Sequence, residues 1–293
     1  MPRRAEFAGV SRLAAVISPA ELAQLLGSSQ LVIVDCRASL QNPAAGREAY
    51  VKAHLPGARF ADLLSDLSGP ITLGKTGRHP LPELPQFVSK LRRWGIAATS
   101  QVVVYDDAGG AFAARLWWML RYLGHEAVAL LDGGFQAWVA EGRPTTADFP
   151  TVAHSHFAPN LRPELLVTSA ELEVPQSVAR RLFDARAPER FRGEVEPIDP
   201  VAGHIPGAVN LPFADNLRDG RFRPPAELRQ RFAHALDGSA PEQAIVYCGS
   251  GVTACHDIVA FAHAGLPLPR LYAGSWSEWI TDPARPIARH DAP

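Results

Sequence analysis

The chain has 293 residues, 47% hydrophobic and 20% charged, with a formal net charge of -1: an ordinary soluble composition that gives no sign of nucleic acid or an anionic membrane as partner. No stretch could span a bilayer, and the basic start Met1-Pro2-Arg3-Arg4 lacks the apolar run of a signal peptide. Three cysteines, an odd and low number, argue against a disulfide framework, so a reducing, cytoplasmic setting is expected.

The apolar run Leu31-Val32-Ile33-Val34 predicts a buried strand that ends in Asp35-Cys36-Arg37. A turn follows at His54-Leu55-Pro56-Gly57-Ala58. Gln101-Val102-Val103-Val104-Tyr105 is a second strand and leads into the loop Asp106-Asp107-Ala108-Gly109-Gly110. The next apolar stretch, residues 112–123, predicts a helix stopped by Gly124. Leu131-Asp132-Gly133-Gly134-Phe135-Gln136-Ala137-Trp138 closes this half. Residues 143–165 show no period and read as a linker wrapped around a domain.

The text then starts again. Asp184, in Leu182-Phe183-Asp184-Ala185-Arg186, stands 149 residues after Asp35, and His204, in His204-Ile205-Pro206-Gly207-Ala208, stands 150 after His54. Gln243-Ala244-Ile245-Val246-Tyr247 repeats the second strand, and Tyr272-Ala273-Gly274-Ser275-Trp276-Ser277-Glu278-Trp279 repeats the closing segment. This period is too long for a solenoid and means two homologous domains. The expected organisation is a first domain over 1–142, the linker 143–165 and a second domain over 166–293. Apolar strands alternating with helices predict an α/β fold, each domain a mainly parallel sheet flanked by helices. Ligands of such sheets bind at the carboxyl ends of the strands.

One residue at such an end differs in kind between the halves. Cys248 opens the loop Cys248-Gly249-Ser250-Gly251-Val252-Thr253, where the first half has Asp106. A cysteine facing backbone N–H groups and a helix N-terminus is favoured as thiolate, the nucleophilic form. Gly249 and Gly251 allow a tight loop, and Ser250 and Thr253 add hydroxyls. Together they make a cradle for an anion or a polarisable sulfur. Aspartate cannot do thiolate chemistry, so the first half reads as scaffold and cleft wall, and Asp106→Ala is expected to leave turnover largely intact.

These repeated motifs, Asp-x-Arg, His-[Ile/Leu]-Pro-Gly-Ala, strand-Cys-loop-helix and a closing Gly-x-x-x-x-Trp, resemble the tandem-domain rhodanese-type sulfurtransferases over nearly the whole chain. The loop is similar to that of the 3-mercaptopyruvate sulfurtransferase branch; the thiosulfate branch usually carries charged residues after the cysteine. The resemblance implies a catalytic second domain, a Cys248 persulfide, and neither metal nor cofactor. It assigns Cys248, Ser250 and His79 as catalytic and Arg190, Gly249, Gly251, Val252 and Thr253 as substrate-binding. The implied activity moves sulfur from 3-mercaptopyruvate to cyanide or to a thiol such as thioredoxin or glutathione. Thiosulfate is the alternative donor, and a persulfide carrier serving a protein partner the alternative role.

The sequence departs from the family twice. A second substrate arginine often stands in a Pro-Glu-Pro-Arg stretch, which reads Glu194-Val195-Glu196-Pro197-Ile198-Asp199-Pro200 here; Arg192 or an arginine from the first domain is the candidate substitute. The aspartate expected to complete a trio with Ser250 and His79 is replaced by Leu64, leaving Asp62 and Asp66 as candidates. Arg186, His54 and His204 recur in both halves and read as structural. Cys36, Cys255, Trp138, Trp276 and Trp279 read as core, with Trp276 also a possible pocket wall. A phosphatase reading fails because Ala254 stands where an arginine is needed.

Overall fold

The computed structural model describes residues 13–173 and 181–290. Twelve strands follow in chain order: β1 Val16–Ile17, β2 Leu31–Asp35, β3 Arg59–Phe60, β4 Gln101–Tyr105, β5 Val128–Leu131, β6 Leu166–Val167, β7 Leu182–Asp184, β8 Ala208–Asn210, β9 Leu217–Arg218, β10 Arg221–Phe222, β11 Ile245–Tyr247 and β12 Arg270–Tyr272. They build two five-stranded sheets of the same topology, β1-β5-β4-β2-β3 and β6-β12-β11-β7-β8, plus the small antiparallel pair β9-β10. Every pairing within the two large sheets is parallel. The central strands β4 and β11 are buried along their whole length, which is why they read as unbroken apolar runs.

Each half is fastened by the same contacts. Arg37 folds back on Asp35 (Nη2 to Oδ2, 2.6 Å) and donates to the Ala53 carbonyl; Arg186 does the same with Asp184 (2.6 Å) and the Gly203 carbonyl. Both guanidiniums lie over an aromatic ring, Phe135 in one half and Trp276 in the other. His54 and His204 each bond a nearby carbonyl through Nδ1 (2.7 Å), stack on Tyr50 and Phe191, and pair by backbone with Thr146 and Ala288. Trp138 and Trp279 each donate their indole N–H to a proline carbonyl, of Pro144 and Pro286. Trp276 is fully buried and bonded to the Val201 carbonyl, so it serves the core and not a pocket wall.

The halves share one core. The helix Ala113–Tyr122 is buried from Ala113 through Arg121 and packs against Ala254–His263 of the second half. One apolar cluster runs from Val104, Leu116 and Trp118 to Val246, Ile258 and Phe261. A helix buried on all sides belongs between layers rather than on a surface. The aperiodic segment after Trp138 lies along the first half, its backbone bonded to His54 through Thr146 and to Leu123 and Tyr122 through Asn160 and Arg162. Among the described residues no helix is long and apolar enough to cross a membrane.

Candidate active site

Cys248 follows β11 at its carboxyl end, and the loop it opens leads into the helix Ala254–His263. The thiol is almost wholly buried, and the Gly251 N–H points at its sulfur (3.2 Å). Gly251 has φ +74°, and a Cβ there would collide with the Ala273 carbonyl, so the turn that brings this N–H to the sulfur requires glycine.

The loop is clamped from the closing segment. Trp276 N–H donates to the Cys248 carbonyl (3.0 Å), Ser277 N–H to the Gly249 carbonyl (2.9 Å), and Cys248 N–H to Ser275 Oγ (3.1 Å). Ser275 does this from the left-handed region, φ +55°, a strained position for a residue with a side chain. Sequence reasoning missed it, although the repeat carried a signal: its counterpart in the first half is Gly134, at φ +57°.

The first half shows what such a loop holds. Both oxygens of the buried Asp106 carboxylate are taken up by backbone donors: Ala108 and Gly110 N–H on Oδ1, Phe112 and Ala113 N–H on Oδ2, each at 2.8 Å. Burial raises its pKa, opposed by those four N–H bonds. At the same place in the fold, one half therefore carries a caged anion and the other a thiol.

His79 comes from the first half and meets Ser250 across the interface, Nδ1 to Oγ 2.7 Å. Burial, then Arg115 and Arg78, push its pKa down to about 4, so the imidazole is neutral at pH 7. Neither aspartate candidate reaches it. Asp62 accepts the Leu64 and Ser65 N–H groups of its own turn, Asp66 pairs with Lys90, and Leu64 is exposed. Among the described residues no carboxylate is recorded against His79, so the expected trio is a pair.

Arg115, also from the first half, was missed. It is fully buried and donates to four carbonyls, of Gly251 (2.7 Å), His79 (2.9 Å), Leu67 (3.2 Å) and Pro80 (3.5 Å), tying the thiol loop to the histidine segment. Burial lowers its pKa, while Cys255 and Cys248 favour its charge. An arginine inside the apolar stretch 112–123 was the available signal.

Two guanidiniums converge over Gly249. A Cβ there would lie 3.0 Å from Arg78 Nη2, 3.5 Å from Arg190 Nη2 and 3.6 Å from Arg190 Nη1. Arg190 is held by Glu196 (2.7 Å) and Asp199 (3.2 Å). Arg78 pairs with the other oxygen of Asp199 through Nη1. Burial lowers the Arg78 pKa, Cys248 favours its charge and Arg190 opposes it, as expected of groups sharing one spot. Arg78 is thus a first-half arginine at this spot, whereas Arg192, the other candidate, pairs with Glu194. A cavity of about 250 Å³ is lined by Arg78 and His79 together with Arg37, Asp62, Leu64 and Ile198 among others, and by none of residues 248–253.

Of the remaining loop residues, Val252 is buried and Thr253 begins the helix without a side-chain capping bond. Cys255 is bonded to the Gly251 carbonyl (3.4 Å), and burial pushes its thiol far up. Burial does the same to Cys36. Among the described residues no group of three or more His, Cys, Asp or Glu could hold a metal ion.

A family model described as a rhodanese-like domain matches residues 18–141 and again 168–282. A Pseudomonas aeruginosa protein named "Probable 3-mercaptopyruvate sulfurtransferase" is 51% identical over 281 residues, 95% of this chain and 99% of its own. The thiosulfate sulfurtransferase of Mus musculus is 39% identical over 244 residues, 80% of each chain. The solved 3-mercaptopyruvate sulfurtransferase from Leishmania major superposes with a TM-score of 0.80 at 34% identity, over 91% of this chain and 74% of that one.

Proposed function

The chain belongs to the rhodanese family and is a sulfurtransferase, and from that premise we propose that it takes sulfur from 3-mercaptopyruvate onto Cys248 and passes it to a thiol such as thioredoxin or glutathione, or to cyanide. The second half, 166–293, carries the nucleophile; the first, 1–142, supplies His79. The observation that carries the choice of donor is the Ser250–His79 hydrogen bond beside Cys248.

The Cys248 thiolate attacks the donor sulfur, an S–S bond forms and the C–S bond breaks. Its electron pair leaves on carbon as the enolate of pyruvate, which must take up a proton to become pyruvate. Thiosulfate instead releases sulfite, which needs no proton in that step. A hydroxyl bonded to a neutral imidazole can relay the proton, so this pair suits a carbon leaving group. Arg190 binds the donor carboxylate by a charge-assisted hydrogen bond from Nη1, since Glu196 and Asp199 take its Nε and Nη2. The Gly249–Thr253 backbone cradles the outer sulfur, as the first-half loop cradles the Asp106 carboxylate. An acceptor thiolate or cyanide then attacks that outer sulfur and Cys248 leaves as thiolate, so ping-pong kinetics follow.

With cyanide as acceptor, kcat/KM for mercaptopyruvate is expected to exceed that for thiosulfate by roughly a hundredfold, the low end of what a positioned proton relay contributes. A preference for thiosulfate would reverse the donor assignment.

The pH dependence follows from His79. Its pKa is depressed from 6.5 to about 4, so protonation removes the relay only as pH falls toward that value. His79→Asn is expected to lower kcat/KM for mercaptopyruvate by about 100-fold. Wild-type profiles should show no His79 inflection near 6.5. An inflection there that disappears in the variant would contradict the neutral relay.

A further inference from the structure

Around the thiol loop the charges are offset or suppressed, with one exception. Arg78 and Arg190 face Asp199 and Glu196, and Arg186 faces Asp184 and Glu196. Glu278 accepts from Tyr272, and Asp257, pushed up by burial to about 7, accepts from Asn216. Burial holds His79 and His256 neutral, and it keeps Cys255 a thiol, whose S–H bonds the Gly251 carbonyl. The exception is Arg115. It is fully buried, and among the described residues no carboxylate is recorded against it. Its Nη1 bonds the Gly251 carbonyl and its Nη2 the carbonyls of Leu67, His79 and Pro80, while Nε has no partner. Carbonyl dipoles solvate a guanidinium without cancelling its charge. A net positive charge therefore stands inside the molecule, against the residue whose N–H points at the Cys248 sulfur.

The first half has the counterpart contact without the charge. Gly109 stands three residues after Asp106, as Gly251 does after Cys248. The Gly109 carbonyl also accepts from the other half, but from His256 Nε2 (3.0 Å), an imidazole that burial pushes down to about 4. The loop that already holds a carboxylate receives a neutral donor, and the loop that holds a thiol receives a permanent cation. We propose that Arg115 is the counter-charge of the Cys248 anion, favouring the thiolate before the donor sulfur arrives and the persulfide anion afterwards. In the transfer the S–S bond forms, the C–S bond breaks and the donor thiol proton ends on the enolate carbon, which leaves the outer sulfur anionic. Thiolate and persulfide each carry one negative charge, so one fixed cation from the first half serves the whole cycle. Arg115 is then a positioning residue, acting on Cys248 through the loop and not on the donor.

The inference rests on the reading that Cys248 is the nucleophile, and the two can fail separately. The probe is iodoacetamide on the full-length protein, followed both as alkylation of the Cys248 peptide and as loss of sulfur transfer to cyanide. If alkylation of Cys248 leaves transfer intact, the nucleophile reading fails and the counter-charge with it. If it abolishes transfer, the variants decide. Arg115→Gln is expected to slow alkylation at pH 7 by roughly tenfold or more, the change in thiolate fraction that one pKa unit brings. The difference is expected to shrink as pH rises, because full ionisation makes the two thiols alike. A residue that only propped the loop would slow the reaction equally at every pH.

Arg115→Met covers the case in which Arg115→Gln does not fold. Its apolar chain brings no unpaired polar group of its own into the core, and the same fall in rate is expected. Arg115→Lys keeps the charge without the guanidinium fork and is expected to recover the rate to within about threefold of wild type, half a pKa unit. Three results would overturn the counter-charge: alkylation of Arg115→Gln or Arg115→Met within about twofold of wild type at pH 7, a fall of equal size at every pH, or Arg115→Lys as slow as Arg115→Gln.

Discussion

Replacing Cys248 with serine is expected to abolish sulfur transfer, by at least about a thousandfold, while the protein remains folded. The substitution exchanges sulfur for oxygen at a buried position whose neighbour, the Gly251 N–H, still finds an acceptor, so stability changes little. The chemistry has no such tolerance. A hydroxyl is scarcely ionised at neutral pH, and no persulfide can form on oxygen. Neither other cysteine can substitute, because burial pushes the Cys36 and Cys255 thiols away from the thiolate. Steady-state transfer to cyanide, with circular dichroism on the same preparation, checks both halves of this statement. Wild-type-like turnover in a folded Cys248→Ser protein would place the nucleophile elsewhere.

Asp106→Ala has its largest effect on stability rather than on turnover. The change leaves four N–H groups, those of Gly110 and Ala113 buried and those of Ala108 and Phe112 part-buried, without the acceptor that now takes all four. An unsatisfied buried donor costs about 1–3 kcal/mol, and partial collapse of the loop and water entry reduce the sum, so a loss of about 3–5 kcal/mol is expected. The damage reaches the interface, because His256 of the second half bonds the Gly109 carbonyl of this loop (3.0 Å) and Gly110 packs near its ring. Turnover per folded molecule is expected to hold, since Asp106 touches nothing in the thiol loop that the chemistry uses. Denaturant midpoints measure the first effect and active-fraction kinetics the second. An unchanged midpoint would mean that the carboxylate is not what holds the loop.

Much of this architecture was legible because the chain states it twice. Asp35 with Arg37 and Asp184 with Arg186 mark equivalent strand ends, and the two histidine turns fix the next strand in each sheet. Unbroken apolar strands told of sheets covered on both faces. Cys248 stood out by having aspartate at the matching place. The pairing of Ser250 with His79 rested on family resemblance and not on spacing, since they lie 171 residues apart.

What stayed hidden depends on how the halves dock. Arg78 and Asp199 are separated by 121 residues, and their side chains had no reason to be read together. Arg115 looked like one polar residue in a helix, and only the packed interface reveals four carbonyls around it. Asp62 and Asp66 were candidates because they sit near the position that Leu64 occupies. Local demands decide against both: one satisfies the N–H groups of its own turn and the other neutralises Lys90. Turn chemistry within a few residues is a stronger claim on a short carboxylate than a partner across the fold.

The measurement that tests the central claim most directly is mass spectrometry of the protein after exposure to mercaptopyruvate without acceptor. The expected result is a gain of one sulfur atom on the peptide that contains Cys248, release of an equal amount of pyruvate, and removal of that sulfur by cyanide. Pyruvate release with no sulfur on Cys248, or sulfur found on Cys36 or Cys255 instead, would contradict the persulfide mechanism.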